Sequence, residues 1–176
     1  MIRGEKTGLR ARHADDVPVL HEELYNDVAT RSRADIRPWV PLGAERSPFA
    51  VREDDPTAAD FSVVDLASGG LAGAAVLWGI DLHNRSAHIG MTLLPSARGK
   101  GFSTDVVRTL CHYGFVIRGL NRIALETLTD NVAMRTAAER NGFTHEGTLR
   151  GSFWANGEFH NDELYGLLAS EWRPRP

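Results

Sequence analysis

A loop rich in glycine and positive charge opens an amphipathic helix pattern in the segment LLPSARGKGFSTDVVRTL. Its residues lie between a strand pattern and that helix pattern: Arg98, Gly99, Lys100, Gly101, Phe102 and Ser103. Glycine lets a ligand approach the backbone closely, and the first N–H groups of a helix are unpaired and partly positive. With two cations beside them, such groups suit a phosphate or pyrophosphate.

A plain turn between a strand and a helix explains the same loop equally well at this stage. Ser103 and Thr104 are favourable helix caps, and Asp105 would complement the helix dipole. The loop follows neither the Walker pattern GxxxxGK[ST] nor the dinucleotide pattern GxGxxG. The rest of the chain must therefore decide between a turn and an anion site.

Composition restricts the function classes. The 176 residues suit one domain, 1–176, with a sizeable core, and the net charge of −3 gives no general basic field for nucleic acid. Cys111 is the single cysteine, which excludes an internal disulfide, favours a cytoplasmic location and suggests a small buried side chain. We expect no metal site and no membrane partner, because metal-binding spacings and an apolar run of ~20 residues are absent from the sequence.

The elements that must position the loop follow from hydrophobic periodicity and turn residues. Strands are predicted at 7–12, 61–66, 70–82, 86–95, 122–128 and in a final pair that turns at 155–157. Helices are predicted at 15–28, from Phe102 to Ile117, and from Asn131 to about Asn141, where Gly142 provides the C-cap. Residues 37–59 are predicted to form loops with a short helix. This order indicates an α/β (α+β) domain with one central, mostly antiparallel mixed sheet flanked by helices.

Three ordered segments resemble the GNAT superfamily of N-acetyltransferases, in its RimJ/RimL-like branch. They are AHIGMTLLPSARGKGFSTDVV, ALETLTDNVAMRTAAERNGFTHEGTLR and DELYGLLASEW. Arg98 and Gly101 match the acetyl-CoA loop of that family, while Ser103 replaces its last small residue. The resemblance extends over nearly the whole chain and is weakest across 30–60. It implies a GNAT fold and transfer of an acetyl group from acetyl-CoA to a primary amine.

The resemblance also implies where acetyl-CoA binds. Strands 86–95 and 122–128 should splay apart and hold the pantetheine arm by main-chain groups, with Leu93 and Leu94 as candidates. The pyrophosphate should lie on the N–H groups of 98–103. Asn131 matches the family asparagine that binds the cofactor, although an N-cap explains it almost as well. A backbone N–H near Leu93 is the expected donor to the oxyanion.

Glu126 and His88 are the candidate bases. Glu126 matches a strand glutamate that serves as base in some N-terminal acetyltransferases, and His88 stands where relatives often carry Glu. An ordinary packed or solvated strand side chain remains an alternative for each. The usual acid has no counterpart, because Met134 and Ala138 occupy the family's Ser and Tyr positions and Phe153 replaces a glutamate. A thiolate of pKa near ~8.5 can leave without full protonation.

The acceptor is the least defined part. Aromatic side chains could line an acceptor cleft or fill the core: Tyr25, Trp39, Phe153, Trp154 and Phe159. Acidic side chains could attract a cationic amine or be solvated: Glu22, Glu23 and Asp162. We expect a protein or peptide N-terminal amine as acceptor, and a monomer or homodimer. The alternatives are a small-molecule or antibiotic amine, a non-catalytic acyl-CoA-binding module, and a nucleotide-binding regulator.

Overall fold

One mixed sheet of eight strands organises the fold. The computed structural model describes residues 1–52 and 55–173. The strands follow the order β1-β2-β3-β4-β5-β6-β8-β7 across the sheet. Their bounds are β1 Ile2–Arg3, β2 Thr7–Ala11, β3 Ala58–Asp65, β4 Leu71–Asp81, β5 Ser86–Leu93, β6 Arg122–Leu128, β7 Thr144–Ala155 and β8 Glu158–Leu168. The predicted fold class is confirmed, with the short strand β1 in addition.

The helices correct one sequence prediction. Helix α1, Asp16–Leu20, continues as a π-helical turn, His21–Tyr25, and stops there instead of reaching residue 28. The side chain of Asp27 accepts a hydrogen bond from the N–H of Thr30 and so begins a separate helix, α2, Val28–Ala34. The predicted helix was too long because Val28 fits the apolar spacing of α1. In the structure the side chain of Val28 is exposed.

Helix α3, Phe102–His112, connects the glycine-rich loop to the core. Its apolar stripe buries Val106 and Leu110 in one cluster with Leu77 of β4 and Leu125 of β6. A π-helical turn, Tyr113–Ile117, follows and changes the direction of the side chains. Ile117, which the sequence predicted on the buried face, is therefore exposed.

The remaining connections are short. Helix α4, Val132–Arg140, ends in a Schellman motif. Gly142 adopts a φ of 85°, its N–H donates to Glu139 O, and the N–H of Phe143 donates to Ala138 O. The predicted C-cap at Gly142 is confirmed. Two 3₁₀ turns, Ala44–Arg46 and Pro95–Ala97, account for the short helix in the loop region and for the exit from β5.

Candidate active site

A gap opens between β5 and β6, the parallel neighbours in the sheet. Their ladder runs from Ser86 opposite Arg122 to Ile89 opposite Leu125 and ends there. Beyond that point β5 stays paired with β4 up to Leu93, and β6 stays paired with β8 up to Leu128. The two strands therefore diverge without losing their outer partners, at the place where the sequence predicted splayed strands.

The backbone of β5 presents Leu93, rather than Leu94, to this gap. The N–H of Leu94 donates to Ala72 O in β4, and its carbonyl accepts from Ala97 N–H. Since alternate residues of an antiparallel strand point to opposite neighbours, the N–H of Leu93 points away from β4 and into the gap. Leu93 thus fits the expected main-chain role, whereas both backbone groups of Leu94 are already bonded within the protein.

The glycine-rich loop is shaped by left-handed backbone at two positions. Gly99 and Gly101 have φ values of 75° and 77°, which L side chains rarely adopt. Gly101 is the N-cap of α3, so the predicted caps Ser103 and Thr104 lie inside the first helical turn instead. No side-chain oxygen caps this helix end. Because glycine has no side chain to cap the helix, the first N–H groups of α3 have no competing side-chain acceptor.

Asp105 lies in the first turn of α3, as the sequence suggested, and its carboxylate also fastens the N-terminal segment to this helix. One carboxylate oxygen accepts the N–H of Glu5 at 3.0 Å. The other accepts the N–H of Lys6 at 2.9 Å, and the N–H and hydroxyl of Thr7 at 2.8 and 2.7 Å. Gly4 makes room for this contact, because a Cβ there would lie 2.5 Å from a carboxylate oxygen of Asp105.

This anchor brings Lys6 to the loop, a residue that sequence reasoning missed. Its Nζ donates to the carbonyl of Lys100 at 3.3 Å and lies 3.4 Å from where a Cβ of Gly101 would be. Lys6 and Lys100 are 94 residues apart, so no local spacing signal could have joined them. The positive charge at the mouth of α3 is therefore larger than the sequence of the loop alone suggests.

The side chains of the other loop residues contribute less directly to the open helix end. The Nε of Arg98 donates to Leu93 O at 3.2 Å, so this side chain supports the end of β5. The Nζ of Lys100 lies 5.9 Å from the ring centroid of Phe102, a cation–π distance, and the Phe102 ring is buried. Ser103 is half-buried in the first turn of α3. Of this group, the backbone of 99–101 is the most open to a ligand.

Asn131 is an N-cap in the structure. Its Oδ1 accepts the N–H of Met134 at 3.2 Å, and its Nδ2 donates to the hydroxyl of Thr127 at 3.0 Å. Asn131 is exposed at the start of α4, directly after β6, on one side of the gap. The capping alternative is thus realised, and a cofactor contact would have to use the remaining capacity of the amide.

The structure brings the two candidate bases, His88 and Glu126, together. His88 Nδ1 lies 3.3 Å from Glu126 Oε1, although the pair is not aligned as a regular hydrogen bond. The imidazole stacks on Trp78, with ring centroids 4.4 Å apart. Both side chains keep about a third of their surface exposed, 35% each. Because β6 leaves the ladder after Leu125, Glu126 is its first residue at the gap.

The departures from the family pattern are mostly packing residues. Met134 is partly buried against the main core, and Ala138 is fully buried within it. Phe153 forms a small separate cluster with Leu128 and Ala155. None of the three provides a group that could donate a proton to a leaving thiolate.

The aromatic candidates divide between core and surface. Tyr25 is buried, stacks on His21 and donates its hydroxyl to Val40 O at 2.6 Å. Trp39 packs against the core, whereas Trp154 and Phe159 are exposed and touch edge to face at the end of the β7–β8 hairpin. Glu22 and Glu23 are also exposed, on the π-helical turn after α1. These residues thus lie in different surroundings, some in the core and some on the surface.

The described ranges contain neither a metal-binding cluster nor a membrane-spanning helix. Residues 1–52 and 55–173 hold no group of three or more His, Cys, Asp or Glu placed to hold a metal ion. In the same ranges no helix has the length and hydropathy needed to cross a bilayer. Cys111 is fully buried in α3, and burial raises the pKa of its thiol, so the expectation of a small core side chain is confirmed.

A parallel pair that diverges beside a glycine-capped helix defines the architecture of an acyl-CoA-dependent acetyltransferase. Residues 6–144 match the family model described as an acetyltransferase (GNAT) domain, which is most of the chain, and the chain belongs to that family. The predicted family and fold are confirmed.

Among curated proteins, the chain is similar to the putative ribosomal N-acetyltransferase YdaF of Bacillus subtilis. The two are 37% identical over 107 residues, 61% of this chain and 58% of the relative. It is also 30% identical over 113 residues to spermidine N(1)-acetyltransferase of Vibrio cholerae, 64% of this chain and 65% of the relative. The chain thus spans less than two thirds of either relative.

Among solved structures, the chain is similar to spermidine N-acetyltransferase from Vibrio cholerae in complex with CoA and spermine. The TM-score is 0.84 and the sequence identity 26%, over 96% of this chain and 98% of that chain. The shared architecture therefore extends over nearly the whole length of both chains, much farther than the two sequence alignments given above.

Proposed function

We propose that the chain transfers an acetyl group from acetyl-CoA to a primary amine, most naturally the N-terminal amine of a peptide or protein. The observation that carries this proposal is the end of the β5–β6 ladder at Ile89 and Leu125, after which β5 leads through the glycine-rich loop to the glycine-capped start of α3. One strand thus leads from an open backbone edge directly to an anion-binding helix end. A long ligand with an amide arm and a diphosphate fits both features.

The described residues fit acetyl-CoA, which would supply the activated acetyl thioester. A Cβ at Gly99 or Gly101 would be strained, so glycine keeps the backbone of the loop accessible to a diphosphate. Lys6 adds charge at the same place. The N–H of Leu93 faces the gap and would pair with the amide arm or stabilise the oxyanion. Asn131 stands on the opposite side, at the start of α4.

Glu126 and His88 would remove the proton from the acceptor. An amine reaches the site mostly protonated near neutral pH and must lose a proton before it can attack. A hydrogen bond from His88 Nδ1 to Glu126, which the 3.3 Å separation allows once the two groups are aligned, would leave Nε2 as the base. Alternatively, Glu126 accepts the proton itself, since it stands nearer to the gap.

The open position of these two side chains supports a peptide acceptor. Both are 35% exposed, and the groove beside them is lined by strand residues of β5, β6, β7 and β8. An extended peptide end can enter such a groove, whereas a small metabolite is usually held in a more enclosed pocket. The similarity to YdaF, whose name denotes a putative ribosomal N-acetyltransferase, points to the same class.

A polyamine is the second candidate acceptor. The structural similarity to a spermidine N-acetyltransferase extends over 96% of the chain, and the Glu126 carboxylate in the groove would attract a polycation, while Glu146 there is paired with Arg122. The two acceptors share an ammonium group, so the same bases would serve both.

The decisive experiment measures CoA release with purified protein, acetyl-CoA and an amine panel. The panel holds short peptides with free and blocked N-termini, spermidine, and an aminoglycoside. We expect turnover with free N-termini and little with the blocked peptides. Turnover with spermidine alone would show that the acceptor is a polyamine and not a peptide. Tight acetyl-CoA binding without any turnover would identify a non-catalytic binding module, and a preference for ATP over acetyl-CoA would overturn the proposal altogether.

A further inference from the structure

A second carboxylate, Asp162, is buried beside the candidate bases. Asp162 lies in β8, opposite Leu128 of β6 on one side and Leu149 of β7 on the other. Only 7% of its surface is exposed. A buried carboxylate is costly unless a cation or several hydrogen bonds compensate it. Here the charged groups that act on it, Glu126 and Glu163, are themselves negative.

The register of the strands places Asp162 on the same face of the sheet as both bases. Glu126 is opposite Leu164, two residues after Asp162, so the two carboxylates are diagonal neighbours across β6 and β8. His88 is opposite Ala124, two residues before Glu126, and therefore shares that face. The three titratable groups form a row across β5, β6 and β8.

Glu163 belongs to the other face, because successive strand residues point in opposite directions. Its carboxylate accepts hydrogen bonds from Thr129 and Thr148 at 2.7 Å and lies 2.6 Å from His145. These partners, in that order, lower the pKa of Glu163 to about 2. Glu163 is thus a satisfied structural carboxylate, and the contrast shows that Asp162 lacks a comparable set of donors.

The surroundings of Asp162 contain few groups that could neutralise it. From β6 the facing charged group is Glu126. From β7 the neighbouring charged residue is Arg150, which is exposed in the irregular stretch opposite Asn161. On β8 itself His160 shares the face, and its Nε2 lies 3.5 Å from Glu158. Apolar Leu128 and Phe153 pack on the same side of the site.

We propose that Asp162 is a substrate-contacting residue that, together with Glu126, holds the ammonium group of the acceptor and shares its proton. The inference rests on the proposed function and names a specificity element of that site. A cation between two carboxylates would compensate the burial of Asp162, for which the described residues supply the backbone N–H of Glu163 but no cation. Burial, and then the Glu126 carboxylate, raise the pKa of Asp162 to about 6, so the pair can carry a proton near neutral pH.

The protons and bonds balance as follows. The acceptor R–NH₃⁺ gives one proton to the Glu126–Asp162 pair and becomes a neutral amine. Its nitrogen then forms the C–N bond to the acetyl carbon, and the C–S bond breaks with its electron pair on sulfur. The second proton leaves the nitrogen and is taken up by the CoA thiolate, while the pair returns the first proton to water.

Asp162→Asn tests the proposal, since it keeps the volume and removes the charge. Asp15→Asn is the matched control, because Asp15 is an exposed aspartate far along the chain from the gap. The acceptor probes are spermidine and a peptide with a free N-terminus, used with acetyl-CoA. We expect the KM for the acceptor to rise about tenfold or more in Asp162→Asn, with the Kd of CoA by calorimetry unchanged.

The pH profile gives a second readout that a merely structural role would not change. Asp162→Asn removes the carboxyl that takes up a proton near neutral pH, so the acid limb of log(kcat/KM) should move to lower pH. In the unmodified chain, carboxyl NMR of labelled aspartate should show Asp162 titrating above the other aspartates, and Glu126→Gln should lower that midpoint. The NMR measurement does not depend on the folding of Asp162→Asn.

The outcomes separate the two proposals. Amine acetylation that is equal in KM and pH profile between Asp162→Asn and Asp15→Asn would overturn the role of Asp162 and leave the function standing. An Asp162 midpoint below the other aspartates would overturn it as well. Absence of turnover on every amine, with acetyl-CoA bound, would remove the function and this inference together.

Discussion

Asp105→Ala should destabilise the protein strongly, because it removes the acceptor of four hydrogen bonds. Thr7 is fully buried, so its N–H and hydroxyl would be left without a partner, whereas the exposed Glu5 and Lys6 can turn their N–H groups to water. A stranded buried donor costs about 1–3 kcal/mol, which gives a loss of about 2–6 kcal/mol in the free energy of unfolding. That is a large share of the roughly 5–15 kcal/mol that stabilise a typical domain.

The assay is urea unfolding followed by tryptophan fluorescence, since the chain has four tryptophans. Asp81→Ala is the matched control. The Asp81 carboxylate also accepts backbone N–H groups, from His83 and Asn84, but in an exposed turn where water can replace it. Asp105→Asn keeps one oxygen and should lie between Asp105→Ala and the unmodified chain. The reasoning fails if Asp105→Ala loses no more stability than Asp81→Ala.

The same carboxylate makes a prediction about pH. Burial alone raises the pKa of Asp105, but the N–H donors of Glu5 and Lys6 and both donors of Thr7 outweigh it and hold the pKa below its usual value. Its contribution to stability is therefore present above about pH 4, the ordinary range of Asp, and is lost as the pH falls further. In Asp105→Ala the decline of stability in acid should be correspondingly shallower.

Three further variants probe the loop and the bases. Gly101→Ala should weaken CoA binding in calorimetry through its left-handed φ of 77°, whereas Gly69→Ala, at φ 74° in a hairpin turn, should cost similar stability without affecting CoA. Lys6→Ala should raise the Kd of CoA several-fold, mostly at low salt, while the exposed Arg3→Ala should not; equal effects would mean that only net charge matters. Glu126→Gln should lower kcat at neutral pH with CoA affinity intact, and equal rates at every pH would exclude it as a base.

The fold was largely predictable because its signals are local. Strand 122–128 was predicted with the bounds that the structure shows, and the glycine loop, the cap at Gly142 and the order of elements were read from turn residues and periodicity. The end of α1 was missed, since a cap at Asp27 interrupts a periodicity that continues through Val28. Ile117 was misplaced because a π-helical turn has no distinct signal in the sequence.

Candidate site residues could be predicted from the sequence only where one continuous segment contains the signal for them. His88 and Glu126 were named separately, and the structure joins them at 3.3 Å. Lys6 was missed because its contact with the loop depends on an anchor between distant segments. The sequence named Leu93 and Leu94 together, since only the strand register decides which backbone N–H faces the gap. Asp162 was named among the acidic candidates, but its place beside Glu126 follows from the pairing of β6 with β8.

The hydrogen bonds of Asp105 also constrain the order in which the segments of the chain can fold during synthesis. It joins residues 98 to 100 positions apart, so the segment before β2 cannot reach its final position until α3 has emerged from the ribosome. Contacts between such distant residues form late and slowly. The segment before β2 therefore takes its final position only once α3 is in place, and Lys6 reaches the loop at the start of α3 only then.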